Sequence, residues 1–254
     1  MTLASCLAEA AARFGPAPAL VAENGLSLSY ADLHRLSDEV AAGLLGRGVG
    51  EGDVVALMLP TIPEYHVAYL AAVKVGAITT GVNLRLSQVE RRGLLRVADP
   101  KLVLAAPEVE PAETSEDLLA DLRVPGEAPP TIGDDPDRPV AIVFTSGTTG
   151  APKGALFCNR QLDAVTAIDV GDRWGGGGRG LASTSLAHLA GCHGFVRVVE
   201  NRQLHAPLGT TDADLGILFG VVERRPGADG RLRARVAHSQ RNAEASAGLS
   251  HQRG

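Results

Sequence analysis

Val140-Ala141-Ile142-Val143-Phe144-Thr145-Ser146-Gly147-Thr148-Thr149-Gly150-Ala151-Pro152-Lys153-Gly154 joins an apolar run directly to a loop of glycines and hydroxyls. Val140 to Phe144 reads as a buried strand, because the run is short and rich in β-branched residues. Beyond it, Gly147, Gly150 and Gly154 let the backbone take positive φ and turn its N–H groups inward, forming a nest for phosphate oxygens. Thr145, Ser146, Thr148 and Thr149 add hydroxyl donors, and Pro152 stiffens the exit. Lys153, one of only three lysines in the chain, offers a mobile positive charge for a triphosphate or a departing pyrophosphate. A flexible linker uses the same residue types, but a buried strand does not feed a linker. A Walker loop needs a Gly-Lys pair followed by Ser or Thr, whereas here Lys153 precedes Gly154.

Outward from this loop, the chain alternates between two periodicities. Leu3, Leu7, Ala10, Ala11 and Phe14 recur at helical spacing, and the apolar runs Ala19 to Ala22 and Leu26 to Leu28 flank Asn24-Gly25, a hairpin turn signal. Ser29 is placed to cap a helix with the stripe Leu33, Leu36, Val40, Leu44 and Leu45, which Gly46 and Gly48 can end. Val54 to Leu59 reads as a strand. A helix from Pro63 to Gly76 follows, then a strand over Ala77 to Gly81. Ser87-Gln88-Val89-Glu90 has capping-box spacing, so a helix runs from there to Pro100, and Lys101 to Ala105 is the next strand. Strands separated by helices of this length predict crossover units: an α/β architecture of mostly parallel sheets covered by helices. Residues 107–139 read as a surface connection with one short helix around Glu116 to Leu122. After the loop, Asn159 is placed to cap a helix to about Val170, Leu181 to Leu186 reads as a strand, and Leu215 to Val222 as a buried helix.

Composition narrows the partners. The 254 residues are 45% hydrophobic, enough for a substantial core, and carry a formal net charge of −5. An acidic balance gives no general attraction to nucleic acid or to anionic membranes, so any anion site is local. Cys6, Cys158 and Cys192 are odd in number and widely spaced, which argues against a disulfide framework and fits the cytoplasm. No stretch approaches the ~18 to 20 apolar residues of a membrane span, and the N-terminus lacks the features of a signal peptide. His188, Cys192 and His193 crowd together but offer three ligands where structural zinc takes four, so no metal site is assigned.

Taken with its surroundings, T-S-G-T-T-G-x-P-K-G resembles the phosphate-loop signature of the adenylate-forming superfamily, which includes acyl-CoA synthetases and peptide-synthetase adenylation domains. Leu28-Ser29-Tyr30-Ala31-Asp32-Leu33 looks like that family's L-[ST]-Y-x-[ED]-L segment. Gly81-Val82-Asn83-Leu84-Arg85-Leu86 is similar to its N-P-R-L segment, with Leu84 where proline is usual. Leu186-Ala187-His188-Leu189-Ala190-Gly191 resembles its L-x-H-x-x-G segment. The resemblance covers roughly Leu3 to Val199.

It implies the large N-terminal domain of an adenylate-forming fold and an ATP-dependent acid–thiol ligase of the acyl-CoA synthetase type, acting on a fatty or other carboxylic acid. In such enzymes a carboxylate and Mg²⁺-ATP give an acyl-adenylate, and coenzyme A takes the acyl group. By residue-to-residue correspondence Thr145, Ser146, Gly147, Thr148, Thr149, Gly150 and Lys153 would bind the triphosphate, Lys153 and His188 would serve catalysis, and His188 would sit beside the carboxylate pocket. Other family elements are not matched: the adenine, Mg²⁺ and ribose segments and the C-terminal lysine have no counterpart, and after Gly154 the chain has no lysine or tyrosine. The expectation is therefore a partial AMP-binding domain over residues 1–225, with the small C-terminal domain absent and little or no turnover by the chain alone. Residues 226–254 have almost no large apolar side chain and read as a disordered tail, explicable by a frameshift near Arg225. The alternative is a non-catalytic nucleotide-binding or interaction module, which a complementing chain could complete.

Overall fold

The structure, a computed structural model, describes residues 2–22, 26–105, 119–145, 152–170, 186–187, 220–226 and 232–237. Three of its helices begin with reciprocal capping boxes, each satisfying two backbone donors that a helix start leaves open. Thr2 and Ser5 start α1 (Leu3–Phe14), Ser29 and Asp32 start α2 (Tyr30–Gly46), and Ser87 and Glu90 start α4 (Gln88–Ala98). Helix α3 (Pro63–Lys74) begins instead with proline at its first turn, and all its residues are buried. A helix covered all round belongs in the interior. Accordingly α3 touches α1 and α2 on one side and the sheet on the other.

Between α1 and α2, β1 (Pro18–Val21) and β2 (Ser27–Ser29) form a small antiparallel pair closed by the Ala22 N–H donating to the Leu26 carbonyl at 2.8 Å. The tip, including Asn24-Gly25, lies outside the described residues. The main sheet has the order β5-β3-β4-β6-β7-β8-β9. Its first four strands, β3 (Val54–Met58), β4 (Ile78–Gly81), β5 (Leu102–Ala105) and β6 (Pro139–Thr145), are parallel to one another. From β6 onward the pairing turns antiparallel through β7 (Lys153–Cys158), β8 (Gly220–Pro226) and β9 (Leu232–Ala237).

The crossover β3-α3-β4 steps one way along the sheet, and β4-α4-β5 steps back past β3. Right-handed crossovers in opposite directions place α3 and α4 on opposite faces. The strand residues divide in the same way. Val55, Leu57, Ala141, Val143, Ala155 and Phe157 join the large core with α1, α2 and α3, whereas Ile78, Ile142 and Leu156 form a smaller cluster with Val54 and Phe144.

Two polar locks tie the helical layer together. Lys74 Nζ, on a side chain only 7% exposed, bonds Asp38 Oδ1 at 2.7 Å and the His34 carbonyl at 2.9 Å. Glu39 accepts from Arg123 at 2.8 Å, from Arg35 at 3.1 Å and from the Gly126 backbone at 3.3 Å. The second lock draws the connection after residue 118 onto α2, where a methyl group on Gly43 would lie 1.6 Å from the Leu122 carbonyl oxygen. Leu119 and Leu122 are thereby buried in a segment expected to run over the surface. Its turn is closed by Leu122 and Arg123 N–H groups donating to the Leu119 carbonyl, and residues 106–118 lie outside the description.

Helix α5 (Asn159–Val170) forms where predicted, but Asn159 has a different role from capping it. Its side-chain oxygen accepts from the Leu3 N–H at 3.1 Å, satisfying the start of α1, while its amide donates to the Asp135 carbonyl. Gln161 instead reaches back to the Cys158 N–H at 2.9 Å. Where the sequence suggested a helix through Val222, Gly220–Val222 is extended. β7 presents an open edge of backbone donors and acceptors, and the β-branched pair Val221-Val222 suits the strand that fills it. β9 lies within the 226–254 tail and pairs with β8 from Pro226↔Leu232 to Val221↔Ala237.

Candidate active site at the carboxyl edge of the parallel strands

Because β3, β4 and β6 are parallel, their carboxyl ends Met58, Gly81 and Thr145 share one edge. In open α/β sheets this is where ligands bind. Strand β7 runs back beside β6, so it begins at the same edge, and Thr145 and Lys153 are register partners at the open end of that ladder. The intervening loop, Ser146 to Pro152, therefore leaves and returns at the ligand edge. Lys153 is exposed there. Ser146, Gly147, Thr148, Thr149 and Gly150 lie outside the described residues, as does the side chain of Thr145.

Two glycines mark the base of this loop, and one of them, Gly154, is there for steric reasons. A methyl group on Gly154 would meet Ile142 Cγ2 at 2.7 Å and Phe144 Cε1 at 3.3 Å, so the last residue of the signature lets β7 carry the small cluster flat against β6. It is a strand residue without positive φ, unlike the expectation that all three loop glycines serve phosphate. A methyl on Gly93 would stand 3.7 Å from Pro152 Cγ, which places the loop's exit on α4. Thr79 and Thr80 donate from β4 to the Val140 and Ile142 carbonyls at 2.9 and 3.2 Å, fixing β4 beside the strand that feeds the loop.

The other two motif segments meet at the end of β4. After Gly81, Asn83 Oδ1 accepts from the Arg85 N–H at 2.9 Å and the Asn83 carbonyl accepts from Leu86, turning the chain toward α4. Leu186 and Ala187 form a turn seated on Gly81: a methyl there would lie 2.5 Å from Ala187 Cα and 2.5 Å from Tyr65 Oη. The Tyr65 hydroxyl donates to the Leu186 carbonyl at 3.3 Å. Ala187 directly precedes His188, which lies outside the described residues, as do Trp174, Cys192 and His193.

Thus the structure brings together Thr145, Lys153, Gly81 and the start of the L-x-H segment. Sequence reasoning missed Tyr65, which lies within the helix expected from Pro63 to Gly76. The signal was a phenol, one of two in a helix whose residues are all buried, since a buried hydroxyl needs a partner. Among the described residues no group of three or more His, Cys, Asp or Glu could hold a metal ion, and no helix is long and apolar enough to cross a membrane.

Comparison with known proteins agrees with this architecture. The model of the family described as AMP-binding enzyme matches residues 7–224. Feruloyl-CoA synthase from Amycolatopsis sp is 36% identical over 160 residues, 59% of this chain and 32% of the relative. 4-Coumarate–CoA ligase 2 of Oryza sativa subsp. japonica is 27% identical over 258 residues, covering 86% of this chain and 45% of the relative. The chain thus spans less than half the length of these curated relatives. Among solved structures, the N-terminal subdomain of Klebsiella oxytoca NpsA in complex with 3-hydroxybenzoyl-AMSN superposes with a TM-score of 0.69 at 22% identity, over 84% of this chain and 55% of that one. The inhibitor-bound N-terminal domain of FACL13 from Mycobacterium tuberculosis gives 0.67 at 21% identity, over 84% and 59%. With both ends of its T-S-G-T-T-G-x-P-K-G segment paired at the carboxyl edge of this sheet and the family model matching most of its length, the chain belongs to the AMP-binding enzyme family, the adenylate-forming superfamily.

Proposed function

We propose that the chain carries the triphosphate-gripping part of an ATP-dependent acid–thiol ligase. A carboxylate oxygen attacks the α-phosphorus of Mg²⁺-ATP, the bond to the β-phosphate oxygen breaks, and pyrophosphate leaves. The sulfur of coenzyme A then attacks the acyl carbon of the adenylate, and AMP departs. The observation that carries this reading is the Thr145↔Lys153 pairing, which anchors both ends of the signature loop at the carboxyl edge of β3, β4 and β6. In this role Thr145 to Gly150 donate to phosphate oxygens, Lys153 neutralises charge developing on the leaving pyrophosphate, and His188 borders the carboxylate. Displacement at phosphorus gains most from positioning and charge stabilisation, which hydroxyls, backbone N–H groups and one ammonium supply.

Residues 1–225 form part of the adenylation domain on this reading, and residues 226–254 lie beyond the family match, with Leu232–Ala237 adding β9 to the edge of the sheet. The family model's end at residue 224 supports that division. The cytoplasm is its compartment on this reading, in keeping with three widely spaced cysteines that suggest no disulfide framework. The relatives' names favour an aromatic carboxylic acid, since feruloyl-, 4-coumarate- and indoleacetate-CoA ligases all match. Fatty acids are the comparison class.

Calorimetric titration with Mg²⁺-ATP tests the grip, and ATP–pyrophosphate exchange with ferulate, 4-coumarate, indoleacetate and fatty acids tests the acid. Saturable ATP binding and exchange that rises with aromatic acids are expected. Absence of saturable ATP binding, or hydrolysis indifferent to any acid, would overturn the proposal.

A further inference from the structure

At the end of β4 three pieces of chain from distant parts of the sequence converge on one point. Tyr65 is 3% exposed and Leu186 4% exposed, and their hydrogen bond is buried. A phenylalanine would fill nearly the same volume without a polar atom, so the hydroxyl is tolerated there because the Leu186 carbonyl accepts from it. Gly81 gives a second, independent observation. Its φ is not positive, so the requirement for glycine is steric: any β-carbon would overlap both the Ala187 backbone and the Tyr65 hydroxyl. A hydrogen bond and a close backbone approach thus fix the same turn from two sides, and Ala187 leads directly into His188.

We propose that Tyr65 is a positioning residue for the acid side of the site: by holding the Leu186 carbonyl it seats the Leu186–Ala187 turn on Gly81 and sets the point from which the chain continues into His188. Tyr65 touches no reacting atom in this role. It acts through the turn, and the inference rests on the ligase reading above. The triphosphate loop is anchored separately, through Thr145 and Lys153 on β6 and β7. Loss of the Tyr65 hydroxyl therefore disturbs recognition of the acyl group and leaves the grip on ATP intact.

The test uses the full chain with Tyr65→Phe and Gly81→Ala, two probes and one exchange measurement. The probes are Mg²⁺-ATP and feruloyl sulfamoyl-adenosine, a stable mimic of an acyl-adenylate. In Tyr65→Phe the peptide spanning residues 186–187 should exchange its amide hydrogens about tenfold faster with β6 unchanged, and the mimic should bind about tenfold more weakly with ATP affinity unchanged. Gly81→Ala should do the same more severely. A general loss of packing would move both affinities together, so equal weakening of both ligands overturns the inference. Unchanged exchange at 186–187, or equal affinity of wild type and Tyr65→Phe for the mimic, also overturns it. Wild-type chain that binds ATP but not the mimic overturns it and leaves the triphosphate reading standing. Wild-type chain that binds neither overturns both.

Discussion

The Lys74 ammonium on α3 lies 2.7 Å from Asp38 Oδ1 on α2, and His34 Nδ1 meets the other oxygen of the same carboxylate at 2.9 Å. Burial draws Lys74 below its usual pKa despite the opposing pull of Asp38. Burial pushes Asp38 up, but its bonds to His34 and Lys74 outweigh this and leave it below the usual carboxylate range. The two shifts differ in what they say of the pair, because the lysine surrenders more of its hydration than the partly exposed carboxylate. Removing the carboxylate alone would leave a buried charge uncompensated. Asp38→Asn is expected to lower stability by about 3 kcal/mol in urea unfolding, and adding Lys74→Met should restore most of the loss. A double variant as unstable as the single one would show that packing, not charge, sets this contact.

His66 gives the fold a pH dependence of definite sign. Burial pushes its imidazole down to about 4, against a smaller opposing effect of the Ile62 carbonyl 3.1 Å from Nδ1. The unfolded chain has the ordinary value of about 6.5, so between these two values it binds a proton that the folded chain refuses. The stability contribution is therefore complete above about 6.5 and is lost as pH falls toward 4, with a limiting slope of about 1.4 kcal/mol per pH unit. Urea midpoints from pH 7.5 to 5 should show this slope, and His66→Gln should flatten it. Parallel wild-type and variant curves would assign the acid sensitivity elsewhere.

Gly43 and Gly154 make a paired prediction, because the same substitution meets backbone at one and a side chain at the other. A methyl on Gly43 lands 1.6 Å from the Leu122 carbonyl oxygen, whereas one on Gly154 lands 2.7 Å from a methyl of Ile142. Gly43→Ala must displace the connection that Glu39 holds, at a cost of about 3 kcal/mol or more. Gly154→Ala requires Ile142 to shift, which costs about 1 to 2 kcal/mol. Thermal melts of the two variants test the order, and equal losses would contradict it.

Lys153 is exposed at the start of β7, so removing its charge should spare the fold. Lys153→Ala is expected to weaken ATP binding about tenfold, consistent with loss of a charge-assisted phosphate contact. Its unfolding free energy should stay within about 0.5 kcal/mol of wild type. Unchanged ATP affinity would place the phosphates elsewhere.

Much of this arrangement was legible from local patterns. The Ser29 cap, the Ser87-Glu90 box, Pro63 at a helix start and the strand leading into Thr145 all appear where residue chemistry placed them, because each depends on neighbours within a turn or two. What escaped were relations across long separations. Asn159 serves the start of α1 rather than its own helix, Glu39 draws in Arg123 and Gly126, and Tyr65 reaches Leu186. Gly220–Val222 paired as strand because β7 offered an edge, a circumstance no local window contains. At the site, the phosphate signature was readable as a unit. The need for Gly81 was not, since it comes from backbone that arrives much later in the chain.

The change from parallel to antiparallel pairing at β6 bears on how the site meets its ligand. Ladder bonds from Pro139↔Cys158 to Thr145↔Lys153 zip the two arms of the phosphate-loop hairpin together up to its mouth. The loop's closure entropy is thus spent during folding, when the hairpin forms, rather than at the moment of association. On the proposed reading, an incoming polyanion meets a loop whose two ends the ladder has already joined.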